Sequence, residues 1–294
     1  MNEINDLVST KENVIQKIRT LDQETLIKIN KAEEELFTFD QDFSLLQCVM
    51  DNYDSFVLEL QNYLENGLST GNILDSRNYS TLIRIINKWM LNILSSFKAM
   101  IEHLETRIKR NFGKDSIECK KLKEILSREY DEEFSYAFSY KLRNYIQHCG
   151  MPKFIFNINQ NMNDPNNMEL SLEIDLDRDD LLASFDAWTT VKSRLMSIDK
   201  EISLLTILND LMYSLVNILI DIKDLIGYEK AKEAKSFMLE LINEDSNYIG
   251  QDYGICTELE RSGENLNIKI RILKTTLLNS VNTFEKLIED YSRD

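Results

Sequence analysis

Residues 136–152 read YAFSYKLRNYIQHCGMP. At 100° per residue, Phe134, Phe138, Leu142 and Tyr145 fall on one face, the pattern of a helix with one buried side. Gly150 and Pro152 stop that helix just after His148, because glycine supplies a left-handed cap and proline cannot continue the ladder. Before the stop stands a polar cluster, Arg143, Asn144 and His148. His148 is one of 2 histidines among 294 residues. On a regular helix it lies at the margin of the core face, about 140° from Arg143.

Outward from this stretch the chain reads as helix on both sides. Upstream, Leu82, Ile85, Ile86, Trp89, Met90, Ile93, Leu94, Phe97, Met100, Ile101, Leu104 and Ile108 recur at three-four spacing. They predict one long helix over 80–110, central in a bundle and ending at Asn111-Phe112-Gly113. A second helix is predicted over 115–128. Earlier still, 44–66 has the same periodicity, with an end at Gly67 to Gly71. Residues 4–36 predict one or two helices, and Asp40 to Phe43 a break.

Downstream of Pro152 the period changes to two. Phe154 to Ile158 and Leu170 to Leu176 alternate around a polar stretch containing Pro165, which predicts a β-hairpin. Helices follow from Arg178 to about Ser197, from Asp199 to Leu225 with an end at Gly227, and over 228–244. Ile255 to Leu259 and Leu266 to Ile272 predict a second hairpin around Ser262-Gly263, and a last helix covers 274–291. The fold class is therefore mainly α, a helical bundle with one or two small β-hairpins in the C-terminal half. Three segments suggest themselves: acidic N-terminal helices over 1–76 packing on the bundle, a core carrying the motif over 77–152, and hairpin plus helices over 153–294. No linker marks these boundaries, and a single domain accommodates all three.

Charge is unevenly spread. The chain carries -16 overall, which argues against a general nucleic-acid coat or anionic-membrane binder. Yet 77–128 holds 12 Lys and Arg against 5 Asp and Glu. Lys109, Arg110, Lys114, Lys120, Lys121 and Lys123 surround one helix-helix connection. They read either as partners of the acidic N-terminal helices or as a phosphate-binding surface. Cys48, Cys119, Cys149 and Cys256 are far apart and form no CxxC, so reduced thiols in a cytoplasmic protein are the reading. The N-terminus lacks a basic and apolar leader. The longest apolar stretches, such as Leu215 to Ile222, are broken by Asn217 and Asp221, so no membrane span is expected.

The cluster suits cleavage of RNA without metal or cofactor. A 2′-hydroxyl attacks the adjacent phosphate, His148 moves the proton, and the Arg143 fork holds the phosphate oxygens as charge builds. Asn144 can orient either group. Since Arg143 and His148 do not share a face, either the last turn distorts and Arg143 curls back, or a second copy completes the site across a two-fold axis.

Arg-Asn-x-x-x-His near the end of a helix, RNYIQH at 143–148, resembles the signature of the HEPN superfamily (higher eukaryotes and prokaryotes nucleotide-binding domains). The resemblance covers about Asn78 to Pro152. It implies a helical bundle and a metal-independent endoribonuclease of a toxin-antitoxin or phage-defence system. It further implies catalytic Arg143 and His148 with Asn144 auxiliary, a homodimer with the site in its cleft, and a cognate antitoxin or defence partner. Some HEPN members are non-catalytic interaction or dimerisation modules, and an acidic immunity or scaffold protein is a third reading.

Around the site, Tyr140, Lys109, Arg110, Lys114, Lys120 and Lys121 are the candidate RNA contacts. Tyr136 and Tyr140 could stack on bases or pack on a neighbouring helix. Asp175, Asp177, Asp179 and Asp180 lack the glycine turn and distal glutamate of a cation loop and read as a turn and helix start. His103 reads as structural or exposed. Cys149, at a helix C-terminus, lacks the dipole that favours a thiolate.

Overall fold

Strands, rather than helices, open the chain. The computed structural model describes residues 5–11, 14–70, 76–161, 169–243, 252–262 and 265–291. Gly71, Pro165 and Gly263, which belong to breaks read from the sequence, lie outside them. β1 (Asp6–Lys11) and β2 (Val14–Thr20) pair antiparallel where helices were expected. Val8, Thr10, Val14, Ile15, Ile18 and Thr20 are β-branched and fit a pleat better than a helix. The pairing is completed from far away, because β1 also joins residues 252–256.

α1 (Gln23–Thr70) is one helix of 48 residues. Asp22 opens it, its carboxylate accepting from the Thr25 amide at 2.7 Å. The expected break at Asp40 to Phe43 is absent. That stretch has no Gly or Pro, and Leu36, Phe39, Phe43, Leu46 and Val49 continue the buried stripe straight through it. Gly67 likewise lies inside the helix.

α2 (Ser76–Phe112) is the long helix predicted from its period. It stops at Gly113, whose φ of 92° belongs to the left-handed region. Ser116 then caps α3 (Ile117–Glu132), its side chain accepting from the Cys119 amide at 3.1 Å. α4 (Phe134–Cys149) is the organising helix, and it ends at Gly150 with φ 96°.

β3 (Phe154–Asn161) and β4 (Glu169–Asp177) form the expected hairpin. The helix expected from Arg178 to Ser197 is two, α5 (Arg178–Ser184) and α6 (Val191–Ser197). Trp188 divides them. It is fully buried, its indole N–H donates to the Leu181 carbonyl at 3.0 Å, and its ring lies flat on Phe138 at 5.5 Å. β5 (Glu201–Ser203) pairs with β4 and takes the first residues of the next expected helix, leaving α7 (Leu204–Asp221). α8 (Tyr228–Asn243), β6 (Asp252–Ser262), β7 (Asn265–Ile272) and α9 (Leu278–Tyr291) finish the chain. The fold is mainly α with two small antiparallel sheets.

The chain divides into two compact units, inside α1 and after α7, whereas the sequence segments divide at 76/77 and 152/153. One unit is Met1–Ser44 with Ile222–Asp294. Its sheet runs β2-β1-β6-β7. Phe39, Phe43, Tyr228 and Phe284 form its aromatic core, with ring centroids 5.1–6.0 Å apart. Glu33 ties helix to sheet by accepting from Arg271 at 2.7 Å and from the Lys274 amide at 3.0 Å.

The other unit is Leu45–Asp221 and carries the candidate site. Its sheet runs β3-β4-β5. Phe56, Phe97, Phe138, Leu142 and Trp188 lie in its core. Arg194 holds the α3–α4 junction, donating to the Asp131 and Glu132 carbonyls at 3.0 and 2.9 Å. These are C-terminal carbonyls that no intrahelical amide can reach. Among the described residues α7 alone is long and apolar enough to cross a membrane, although the sequence stretches were expected to be too interrupted. Ten of its residues, from Leu204 to Leu219, are buried within the fold.

Candidate functional site at the end of α4

α4 places the polar cluster by burying its opposite face. Phe138 and Leu142 are fully enclosed and Tyr145 nearly so. Phe134, at the start of that face, is half-buried and stacks on Phe138 at 5.4 Å. Tyr145 stacks on Trp188 at 6.0 Å, which fixes the rotation of the last two turns. Its phenol pKa is pushed up, chiefly by burial. With that face held, Arg143 and Asn144 come to the half-buried flank, and Gln147 and His148 are exposed.

Arg143 donates from Nη1 to the Gln147 Oε1 at 2.6 Å. This i,i+4 bond draws the guanidinium along its own side of the helix toward the last turn; Gln147 lies about 100° around the helix from His148, so the bond does not itself join Arg143 to His148. The Arg143 Nε is buried and has no hydrogen-bond partner. A guanidinium carries five N–H donors, so the bond to Gln147 leaves capacity for an oxyanion, although the enclosed Nε is out of a ligand's reach. Gln147, which positions it, was not singled out by sequence reasoning. The i,i+4 spacing from Arg143 was the signal available. Cys149, beside His148, donates its thiol to the Ser184 carbonyl at 3.3 Å.

The tyrosines are less available than their sequence positions suggest. Tyr136 is buried, at 2% exposure, and meets Phe97 edge-on at 5.5 Å. Burial drives its phenol pKa far up, and Glu129, Tyr140 and Glu105 add to it. Base stacking by Tyr136 is thereby excluded. Tyr140 is half-buried and accepts from the Lys98 ammonium at 2.7 Å, with Tyr130 edge-on to its ring at 6.0 Å.

The basic connection is not brought to this cluster. Lys98, the level of Tyr140, lies about 21 Å along α2 from Phe112 at 1.5 Å per residue. From there α4 leads away from the connection, because β3, which follows it, sets Phe156 edge-on against Tyr79 near the other end of α2. Arg110, Lys114 and Lys120 are exposed at the α2–α3 turn. Lys109 pairs with Glu105 on its own helix at 3.5 Å, and Lys121 is half-buried and engaged. No single phosphate can bridge these side chains and Arg143.

Among the described residues, no cluster of three or more His, Cys, Asp or Glu side chains is placed to hold a metal ion. In the acidic run, Asp177 caps α5 by accepting from the Asp179 and Asp180 amides at 3.0 and 3.1 Å. Those hydrogen bonds hold its carboxyl pKa below the usual range. A cleft of about 340 Å³, which no motif in the sequence signals, is lined by Glu59, Asn62, Tyr63, Asn66 and Thr81. Its Glu59 accepts from Lys88 and the Trp89 indole, and the Lys88 bond leads in lowering its pKa.

Set against known protein families, curated proteins and solved structures, the chain matches none of them.

Proposed function

We propose that the chain is a metal-independent endoribonuclease of the HEPN kind, acting as a cytoplasmic homodimer in a toxin-antitoxin or phage-defence setting. The observation that supports this most is the Arg143–Gln147 hydrogen bond, which draws the guanidinium toward the last turn, where His148 is exposed. In this reading His148 transfers the proton of the attacking 2′-hydroxyl or of the leaving 5′-oxygen. Arg143 holds the non-bridging phosphate oxygens through guanidinium N–H groups not spent on Gln147, a hold that strengthens as charge develops. Asn144 orients the phosphate or the imidazole. The same face of a second chain supplies the opposite wall of the cleft, and RNA and a neutralising partner protein are its binding partners.

Incubation of purified protein with RNA in EDTA tests the reading. The expected products end in 2′,3′-cyclic phosphate, and the protein elutes as a dimer. Intact RNA after incubation with a folded dimer contradicts it. One observation favours a second reading, a non-catalytic interaction module. Arg143 is already engaged by Gln147, and an ordinary helix-surface bond needs no substrate to explain it. That reading expects a dimer or a partner complex and no cleavage.

A further inference from the structure

The α2–α3 turn has an unusual surface. Phe112 is 43% exposed and Ile117 80% exposed, the latter the highest value among the large apolar side chains of the described residues. Arg110, Lys114, Lys120 and Lys123, in the turn and the adjoining helix ends, are exposed too, with one exposed acid, Asp115, in the turn. The turn itself is firmly built. Gly113 closes α2 with φ 92°, the Ser116 amide donates to the Gly113 carbonyl at 3.3 Å, and the Cys119 thiol donates to the same carbonyl at 3.2 Å. Leu122 and Ile125 bury the inner face of α3, so Ile117 and Phe112 are not displaced members of the core.

We propose that this turn is a peripheral docking tip for an anionic lipid bilayer. Two exposed apolar side chains in a turn whose exposed cations outnumber its exposed Asp115 match an anionic bilayer surface in both chemistries. Phe112 and Ile117 enter the headgroup region, and the ammonium groups stay at the level of the lipid phosphates and carboxylates. Three features favour lipid over RNA. A branched aliphatic side chain such as Ile117 offers no stacking face to a base. The cations are mostly lysines, which suit diffuse charge better than bidentate recognition. The turn lies at a different level of α2 from Arg143, so it is not needed to grip the scissile phosphate.

The net charge of -16 argues against membrane binding by the molecule as a whole, but a contact confined to this turn is governed by the charges close to it. Screening at physiological salt decays over about 8 Å, so acidic residues farther away contribute little at the membrane surface. From Arg107 to Lys123 the chain has seven Lys and Arg against Asp115 and Glu118.

Sedimentation of the full chain with vesicles tests the proposal. Phosphatidylcholine vesicles containing phosphatidylserine are compared with phosphatidylcholine alone, at low and high salt. The parent is expected to sediment with the anionic vesicles only, and less so as salt rises. Ile117→Ser with Phe112→Ser, and separately Lys114→Glu with Lys120→Glu, are each expected to weaken binding about tenfold or more. Unchanged circular-dichroism melting of each variant shows that folding is intact. Failure of the folded parent to bind anionic vesicles overturns the proposal, as does binding indifferent to both pairs of substitutions. Retention of an RNA oligomer that is lost in the charge-reversed pair but kept in the serine pair also overturns it, and assigns the tip to nucleic acid.

Discussion

Trp188 does at one position what the α4 sequence cannot do alone. Its ring lies flat on Phe138, stacks on Tyr145 and meets Phe185 edge-on at 5.4 Å. It therefore fixes the rotation of α4 that leaves Arg143 on the half-buried flank and His148 exposed. Trp188→Ala is expected to destabilise Leu45–Asp221 by about 3–5 kcal/mol, read from chemical denaturation. Asp175 works the other way. Its pKa is raised, first by burial and then by Glu201 and Glu173. A raised carboxyl pKa favours the folded state only where the group is protonated. That contribution is present below the ordinary carboxylate pKa and is lost as pH rises through the folded value. Asp175→Asn should therefore stabilise the protein at neutral pH, by up to about 1 kcal/mol, with the gain vanishing in acid. Equal effects at both pH values contradict this origin. At the site itself, the sequence showed which residues share one helix end. The direction in which Arg143 bends was not legible, because it depends on Gln147 and on how Tyr145 is held.

At the scale of elements, periodicity was a good guide wherever one face is buried by near neighbours. α2, α4, α8 and both later hairpins stand where their spacing put them. The misses share a physical cause. β1 and β2 look like a weak amphipathic helix until β6 arrives from more than 230 residues away to pair with β1. The acidic stretch at Asp40 to Phe43 looks like a break, but Phe39 and Phe43 stack at 5.8 Å on one helix face. α5 and α6 separate because one indole requires a buried place between them. Gly254 offers a test of this sheet. A methyl there would fall 2.4 Å from the Ile270 Cγ2 and 3.0 Å from the Arg271 carbonyl. Gly254→Ala should cost about 1–3 kcal/mol in the unit that holds β6, measured by denaturation. A neutral substitution would mean that β6 and β7 pair more loosely than described.

Across the whole molecule, an acidic chain carries one stretch in which Lys and Arg outnumber Asp and Glu 12 to 5, residues 77–128, and the α2–α3 turn within that stretch stands apart from the polar end of α4. Under the two proposals the labour is divided: chemistry at Arg143 and His148, and surface attachment at the α2–α3 turn. Sequence proximity had suggested one combined surface, because α4 follows the basic connection within about twenty residues. Helix length decides otherwise, since each residue of α2 and α4 carries the chain about 1.5 Å farther along. The most direct test is cleavage of RNA in EDTA by the parent, Arg143→Ala and His148→Ala proteins, purified identically and shown to be folded. Cleavage by the parent alone, with losses of about a hundredfold or more in each variant, is the predicted result. Equal cleavage by all three, or none by a folded parent dimer, would contradict the assignment of these residues as a ribonuclease site.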